Sequence, residues 1–192
     1  MLSQKLSKYS IILGSASPRR QQFFKDLQLN FTIQVKEVDE VYPAELQGSE
    51  ITDYLADLKS KAFTNLGDNE LIITSDTIVW LENKALEKPK NEAEAFAMLR
   101  KMSGKKHEVI TSISLKTAHS QKIVNDTTAV FFKELTDEEI EYYIKNYQPF
   151  DKAGGYGIQE WIGFIGIEKI EGSYFNVMGL PVHKLYKELQ NL

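Results

Sequence analysis

The sequence predicts an α/β protein built on a mixed sheet, and three observations carry that prediction. Short apolar, β-branched runs such as "LIITSDTIVW" at 71–80 read as buried strands. Segments with helical spacing of apolar residues alternate with them along the chain. Two long β-like stretches, 107–116 and 122–132, flank a turn near Ala118-His119-Ser120 and read as antiparallel neighbours, which makes the sheet mixed.

Each element has a local reason. Residues 10–13 form a short apolar strand, and Pro18 then suits the first turn of a helix capped by Ser17, with Phe23, Phe24 and Leu27 on its apolar face. Residues 31–35 alternate as a second strand, run into the acidic cluster Glu37, Asp39 and Glu40, and stop at Pro43. Ile51, Tyr54, Leu55, Leu58 and Ala62 have helical spacing over about 49–66, with Gly67 as the stop. Asn91 caps a helix carrying Ala95, Met98 and Leu99 that ends near Gly104. Thr136 with Glu139 makes a capping box for a helix through Lys145. "DKAGGYGIQ" (151–159) is a glycine-rich loop, 161–170 reads as a strand, and Pro181 opens a last helix.

Bulk properties narrow the function. The 192 residues, 42% hydrophobic and 26% charged, make an ordinary globular chain that buries a real core, read as one domain over 1–192. A net charge of -4 argues against a nucleic-acid polymer as partner. With no cysteine there is no disulfide or thiolate metal site, and His107, His119 and His183 are too scattered to suggest zinc. No apolar run is long enough for a signal sequence or membrane span, so the expectation is a soluble cytoplasmic protein without membrane association.

Four stretches could carry chemistry. "GSASPRRQQFF" (14–24) places Ser15, Ser17, Arg19 and Arg20 between a strand and a helix N-terminus, where backbone N–H groups, hydroxyls and guanidinium forks suit a phosphate. The plain alternative is a capped surface helix with solvated arginines. Asp76 interrupts a β-branched strand, and a carboxylate there is costly unless paired or metal-bound. Glu37, Asp39 and Glu40 make a solvated turn, or, if one of them faces Asp76, an all-oxygen environment for Mg²⁺. In the glycine-rich loop, Gln159 has an amide able to read a base edge. Phosphate grips with carboxylates are the kit for metal-assisted attack on a phosphate ester or anhydride.

The stretches "GSASPRRQQFF", "EVDE", "LKSKAF", "SDTIVW", "LEKPKNEAEAFAMLRKMSGKKHEVITSISL", "LTDEEIEYYI", "DKAGGYGIQ" and "GSYFNVMGLPVHKLYKEL", in this order, resemble the Maf family of nucleoside triphosphate pyrophosphatases. The resemblance implies a mixed twisted sheet flanked by helices, with two lobes around a central cleft, like inosine triphosphatases. It implies hydrolysis of the α–β phosphoanhydride to a monophosphate and pyrophosphate with a divalent metal, Mg²⁺ or Mn²⁺, and suggests a homodimer. It assigns Asp76 as general base. Ser15, Ser17, Arg19, Arg20, Lys61 and Lys88 bind substrate, and Glu37, Asp39, Glu40 and Asp76 lie at the metal. The form "DKAGGYGIQ", with Arg19, Thr77 and Gln159 at specificity positions, resembles the branch acting on dTTP and UTP, with modified pyrimidine nucleotides as further substrates. Ser75 and Gly155 stand where that family often has alanine. Two other readings fit the same residues: a nucleotide-binding regulator of cell division or septum formation, and a phosphatase releasing orthophosphate.

Overall fold

The protein is described here by a computed structural model over residues 2–192. In chain order the elements begin α1 (Leu2–Lys5), β1 (Ser10–Leu13), α2 (Pro18–Asp26), β2 (Phe31–Ile33), α3 (Ser49–Lys61), β3 (Glu70–Leu81), β4 (Lys84–Leu86) and α4 (Glu92–Met102). They continue with β5 (Lys106–Lys116), β6 (Gln121–Phe132), α5 (Asp137–Tyr147), a 3-10 turn (Ala153–Gly155), α6 (Trp161–Gly166), β7 (Ile167–Glu171), α7 (Tyr174–Val177) and α8 (Val182–Gln190). The sheet runs β2-β1-β3-β5-β6-β7, with β4 alongside β3. It is mixed, as the sequence predicts: β1 is parallel to β2 and β3, while β4 and β7 pair antiparallel with β3 and β6.

Two compact units are present, and three strands contribute to both. The first comprises Met1–Asp76, Thr111–Asp126 and Gly179–Leu192. Its core is aliphatic and aromatic: Leu13, Phe24, Ile51, Leu71, Ile72, Ile73, Ile113, Leu185 and Leu189 are all inaccessible or nearly so. Ser17 caps α2 as expected, its Oγ accepting the Arg20 N–H, and Pro18 occupies the first turn. Phe24 then meets Phe31 edge-on at 5.2 Å, which packs α2 against the strand it feeds.

The second unit comprises Thr77–Ile110 and Thr127–Met178. Val79, Leu99, Met102, Val130, Phe132, Ile140, Tyr143, Tyr156 and Ile162 form its core. Asn91 caps α4 through its side chain, and Thr136 and Glu139 make both bonds of the capping box on α5.

Some segments differ from expectation for identifiable reasons. Residues 161–170 are a helical turn and then a strand, because Ile162 and Gly166, four apart, both bury on one helical face. An apolar run of this length does not by itself distinguish helix from strand. The β3–β4 hairpin turns on Glu82 and Asn83, both at positive φ, without the glycine that usually announces such a turn. Helix α3 stops at Lys61, before the residue 66 that its apolar spacing suggests, because the Lys116 ammonium takes the Ser60 and Phe63 carbonyls at 3.1 Å each. Strand β2 ends at Ile33 instead of residue 35.

One histidine is committed to the second unit's core. His107 Nε2 lies 2.7 Å from the Tyr156 hydroxyl, and its ring meets Phe132 and Tyr156 edge-on. Burial pushes its pKa from 6.5 down to about 3. The unfolded chain therefore takes up a proton below pH 6.5 that the folded chain refuses until about pH 3. Stability from this residue is complete above pH 6.5 and falls between those values, by up to ~1.4 kcal/mol per pH unit. Urea unfolding at pH 7 and pH 5 is expected to show a loss that His107→Gln reduces; an equal loss in both proteins would remove His107 as its source. Ser75, 1% exposed, has a hydroxyl with no hydrogen-bond partner. Ser75→Ala removes that buried polar group and is expected to raise stability by about 1 kcal/mol, read as a higher thermal midpoint.

Candidate active site

The first cluster of polar side chains collects where β1 ends. Parallel strands deliver ligand-binding loops at their carboxyl ends, and here the loop 14–17 passes directly into α2. It is pressed onto β3: the Gly14 N–H donates to the Ile73 carbonyl at 2.8 Å, and a Cβ at Gly14 would lie 2.8 Å from Thr74 Cγ2. Glycine is required by this approach.

Ser15 is buried, and its Oγ accepts from the Ser17 N–H at 3.3 Å and from Arg20 Nη1 at 3.4 Å. Arg20 also donates from Nη1 to the Ser75 carbonyl (2.9 Å) and from Nε to the Gly179 carbonyl (2.8 Å). Its guanidinium thus ties the loop to the strand residue beside Asp76. Burial lowers the Arg20 pKa below that of a free guanidinium, and the nearby Asp76 charge opposes that shift. Arg19 is half-buried in the first turn of α2.

Asp76, 7% exposed, meets a lysine that the sequence reading did not single out. Lys59 Nζ lies 2.6 Å from Asp76 Oδ1 and 3.1 Å from Glu40 Oε1. Lys61 instead points to solvent, its side chain 67% exposed, and pairs with Asp57 one turn back at 2.6 Å. Residues two apart on a helix lie about 200° apart around it, so the two lysines cannot share a face. The pattern contained the signal: Thr52, Leu55, Ala56 and Ser60 are the buried face of α3, and Lys59 falls on that stripe. Glu37 and Asp39 are exposed on the same loop as Glu40.

Two carboxylates converging on one cation are a hard-oxygen donor pair. Among the described residues no group of three or more histidine and carboxylate side chains is gathered. Mg²⁺ usually takes one or two carboxylates and completes its octahedron with water and substrate phosphates. Asp76 and Glu40 are the residues able to hold it.

A second set belongs to the other unit. Thr77 is half-buried on β3, and Lys88 is exposed in the loop after β4. That loop is tied to the glycine-rich one by the Gly154 N–H, which donates to the Glu87 carbonyl at 3.1 Å. Gln159 is half-buried, and its Oε1 is enclosed with no hydrogen-bond partner. Near it in the chain, Glu160 is joined to Tyr143 by a hydrogen bond and to Lys152 by an ion pair. No local motif announced these three, because what joins them is the return of the loop onto α5.

Comparison with known proteins bears on this arrangement. The model of the family described as "Maf-like protein" matches residues 10–192. A dTTP/UTP pyrophosphatase of Flavobacterium johnsoniae is 58% identical over the full length of both chains. Another protein of that name, from Bacteroides fragilis, is 51% identical over 97% of this chain and 98% of its own. Among solved structures, a HAM1 protein from Coxiella burnetii superposes with a TM-score of 0.54 at 15% identity, over 96% of this chain and all of that one, a likeness of fold. With the family model spanning all but its first nine residues, and with relatives matching end to end, the chain belongs to the Maf family.

Proposed function

We propose that this protein is a nucleoside triphosphate pyrophosphatase that hydrolyses dTTP and UTP to the monophosphate and pyrophosphate. The observation that carries the reading is the placement of Asp76: a nearly buried carboxylate beside the Ser15–Ser17 loop, held by Lys59 and linked through it to Glu40. The full-length relatives named as dTTP/UTP pyrophosphatases support the choice of nucleotide. In this reading residues 1–192 act as one Maf-like domain.

In the reaction, a water oxygen bonds to the α-phosphorus as the bridging P–O bond to the β-phosphate breaks. The water's proton passes to the Asp76 carboxylate, and pyrophosphate leaves. Ser15, Ser17 and Arg19, with the N–H groups opening α2, hold the phosphates. Arg20 shapes that loop from behind. Lys59 and Lys88 offset charge developing on the leaving pyrophosphate. A divalent cation such as Mg²⁺ or Mn²⁺ would supply charge neutralisation and phosphate orientation, held by Asp76 and Glu40, with Glu37 and Asp39 adding negative potential nearby. Thr77 and Gln159, with Arg19, determine which nucleotide fits.

Base choice follows from the Gln159 amide. Uracil and thymine offer an N3–H donor beside carbonyl acceptors, which an amide matches with its oxygen and its NH₂. The enclosed, unpartnered Gln159 Oε1 supports that role. Cytosine presents the reverse pattern at the same edge.

With purified protein, a divalent metal and a panel of nucleoside triphosphates, pyrophosphate is expected chiefly from dTTP and UTP. Orthophosphate as the direct product would favour the phosphatase reading, and binding without turnover would favour the regulator. Asp76→Asn is expected to lower kcat by at least about 100-fold without loss of fold; near-normal turnover would remove its assigned role. Lys59→Ala should lower kcat/KM by about ten-fold or more beyond the effect of Lys61→Ala. Equal effects would mean that the contact with Asp76 does not decide the lysine's part.

A further inference from the structure

One buried hydroxyl holds both ends of the short segment that presents Gln159. Tyr143, fully buried on α5, accepts the Gly157 N–H at its phenolic oxygen (3.0 Å) and donates its proton to Glu160 Oε2. Gly157 and Glu160 flank Ile158 and Gln159, so the hydroxyl ties down the residue before this pair and the residue after it. The other Glu160 oxygen, Oε1, faces Lys152 Nζ at 3.1 Å, and that ammonium also reaches Asp151 at 2.7 Å. Lys152 is itself 8% exposed. The ion pair therefore closes the base of the loop where water screens it little.

A third constraint comes from beneath. Gly163 on α6 lies so close to the Ile158 carbonyl that a Cβ there would sit 1.8 Å from its oxygen. No side chain fits, and the backbone just before Gln159 rests directly on the helix. Burial first, and the hydrogen bond to Glu160 second, push the Tyr143 pKa up, which keeps its hydroxyl protonated as the donor this arrangement needs.

We infer that Tyr143 and Glu160 are positioning residues for base selection: they fix the backbone from Gly157 to Glu160, and with it the place from which the Gln159 side chain meets a keto pyrimidine in preference to an amino one. The inference rests on the reading of Gln159 as the base-contacting residue. A hydrogen-bonding site discriminates strongly only when its donor and acceptor are presented at a fixed place, since an amide displaced with its backbone loses the match to the uracil edge. Ring stacking of Tyr143 on Tyr147 at 5.1 Å leaves the ring seated when the hydroxyl is removed.

The test is a double-mutant cycle on pyrophosphate release from UTP and CTP, using the full-length chain with Mg²⁺ and variants that unfold cooperatively. Gln159→Ala and Tyr143→Phe should each lower the UTP-to-CTP ratio of kcat/KM by about ten-fold, with the loss in KM for UTP larger than that in kcat. In the double variant the second substitution should add little, because both act through one amide. Glu160→Ala should behave as Tyr143→Phe does, and Glu160→Gln, which keeps an oxygen to accept the Tyr143 proton, should restore most of the preference. If Gln159→Ala relaxes the preference while Tyr143→Phe and Glu160→Ala leave it intact, the positioning role is overturned and the base-contact reading stands. Independent, additive losses would likewise overturn it, marking a general structural effect. If Gln159→Ala leaves the preference unchanged, the base-contact reading falls and the positioning role falls with it.

Discussion

A carboxylate on a buried strand must be matched by a cation, and the architecture of the first unit follows from that requirement. Lys59 supplies the cation from a helix, so α3 has to sit on the sheet at one rotation about its axis. Its polar contacts enforce this. Thr74, two residues before Asp76 and on the same side of β3, donates its hydroxyl proton to the Ala56 carbonyl at 2.7 Å. The Thr52 hydroxyl lies 2.6 Å from that of Ser112, which donates to Asp53, and Asn125 Nδ2 reaches both Asp53 oxygens. Apolar packing alone would hold the helix against the sheet but would tolerate small rolls; directional bonds along its length do not.

The glycine-rich loop meets a similar demand by different means. Besides burying Tyr156 and Ile158 in the core, it takes its shape from a tyrosine hydroxyl, a shielded ion pair and the absence of a side chain at one glycine. A loop tied down at both ends in this way presents a side chain from a defined place, which is what a selective contact needs.

Much of this was legible in the sequence because local rules decided it. Ser17, Asn91 and Thr136 cap helices through the bonds their side chains make to the next turn. The strand ending before Ser15 and the isolated Asp76 marked the loop and the carboxylate that the proposed function assigns to the phosphates. What stayed hidden depended on three-dimensional return of the chain. Lys59 and Lys61 are equivalent as composition and distinct only once the roll of α3 is known. Arg19 and Arg20 likewise read as a pair, yet Arg20 is taken up by the carbonyls of Ser75 and Gly179, the latter 159 residues away. The helical turn at Trp161–Gly166 is not legible in the sequence, because its six residues carry no polar face to set a period.

The clasp of Lys116 on the carbonyls of Ser60, in the last turn of α3, and Phe63, just beyond it, has an evolutionary consequence. It anchors the helix one residue beyond Lys59 and, with the contacts of Thr52, Asp53 and Ala56, sets the angular position of that lysine independently of where the helix begins. Adding or removing one residue upstream, before Thr52, would leave the ammonium against Asp76. The same change between Thr52 and Ser60 would turn the contacts on its two sides by about 100° relative to each other. Length variation among descendants of this chain is therefore expected in the approach to α3, and excluded from its final turn.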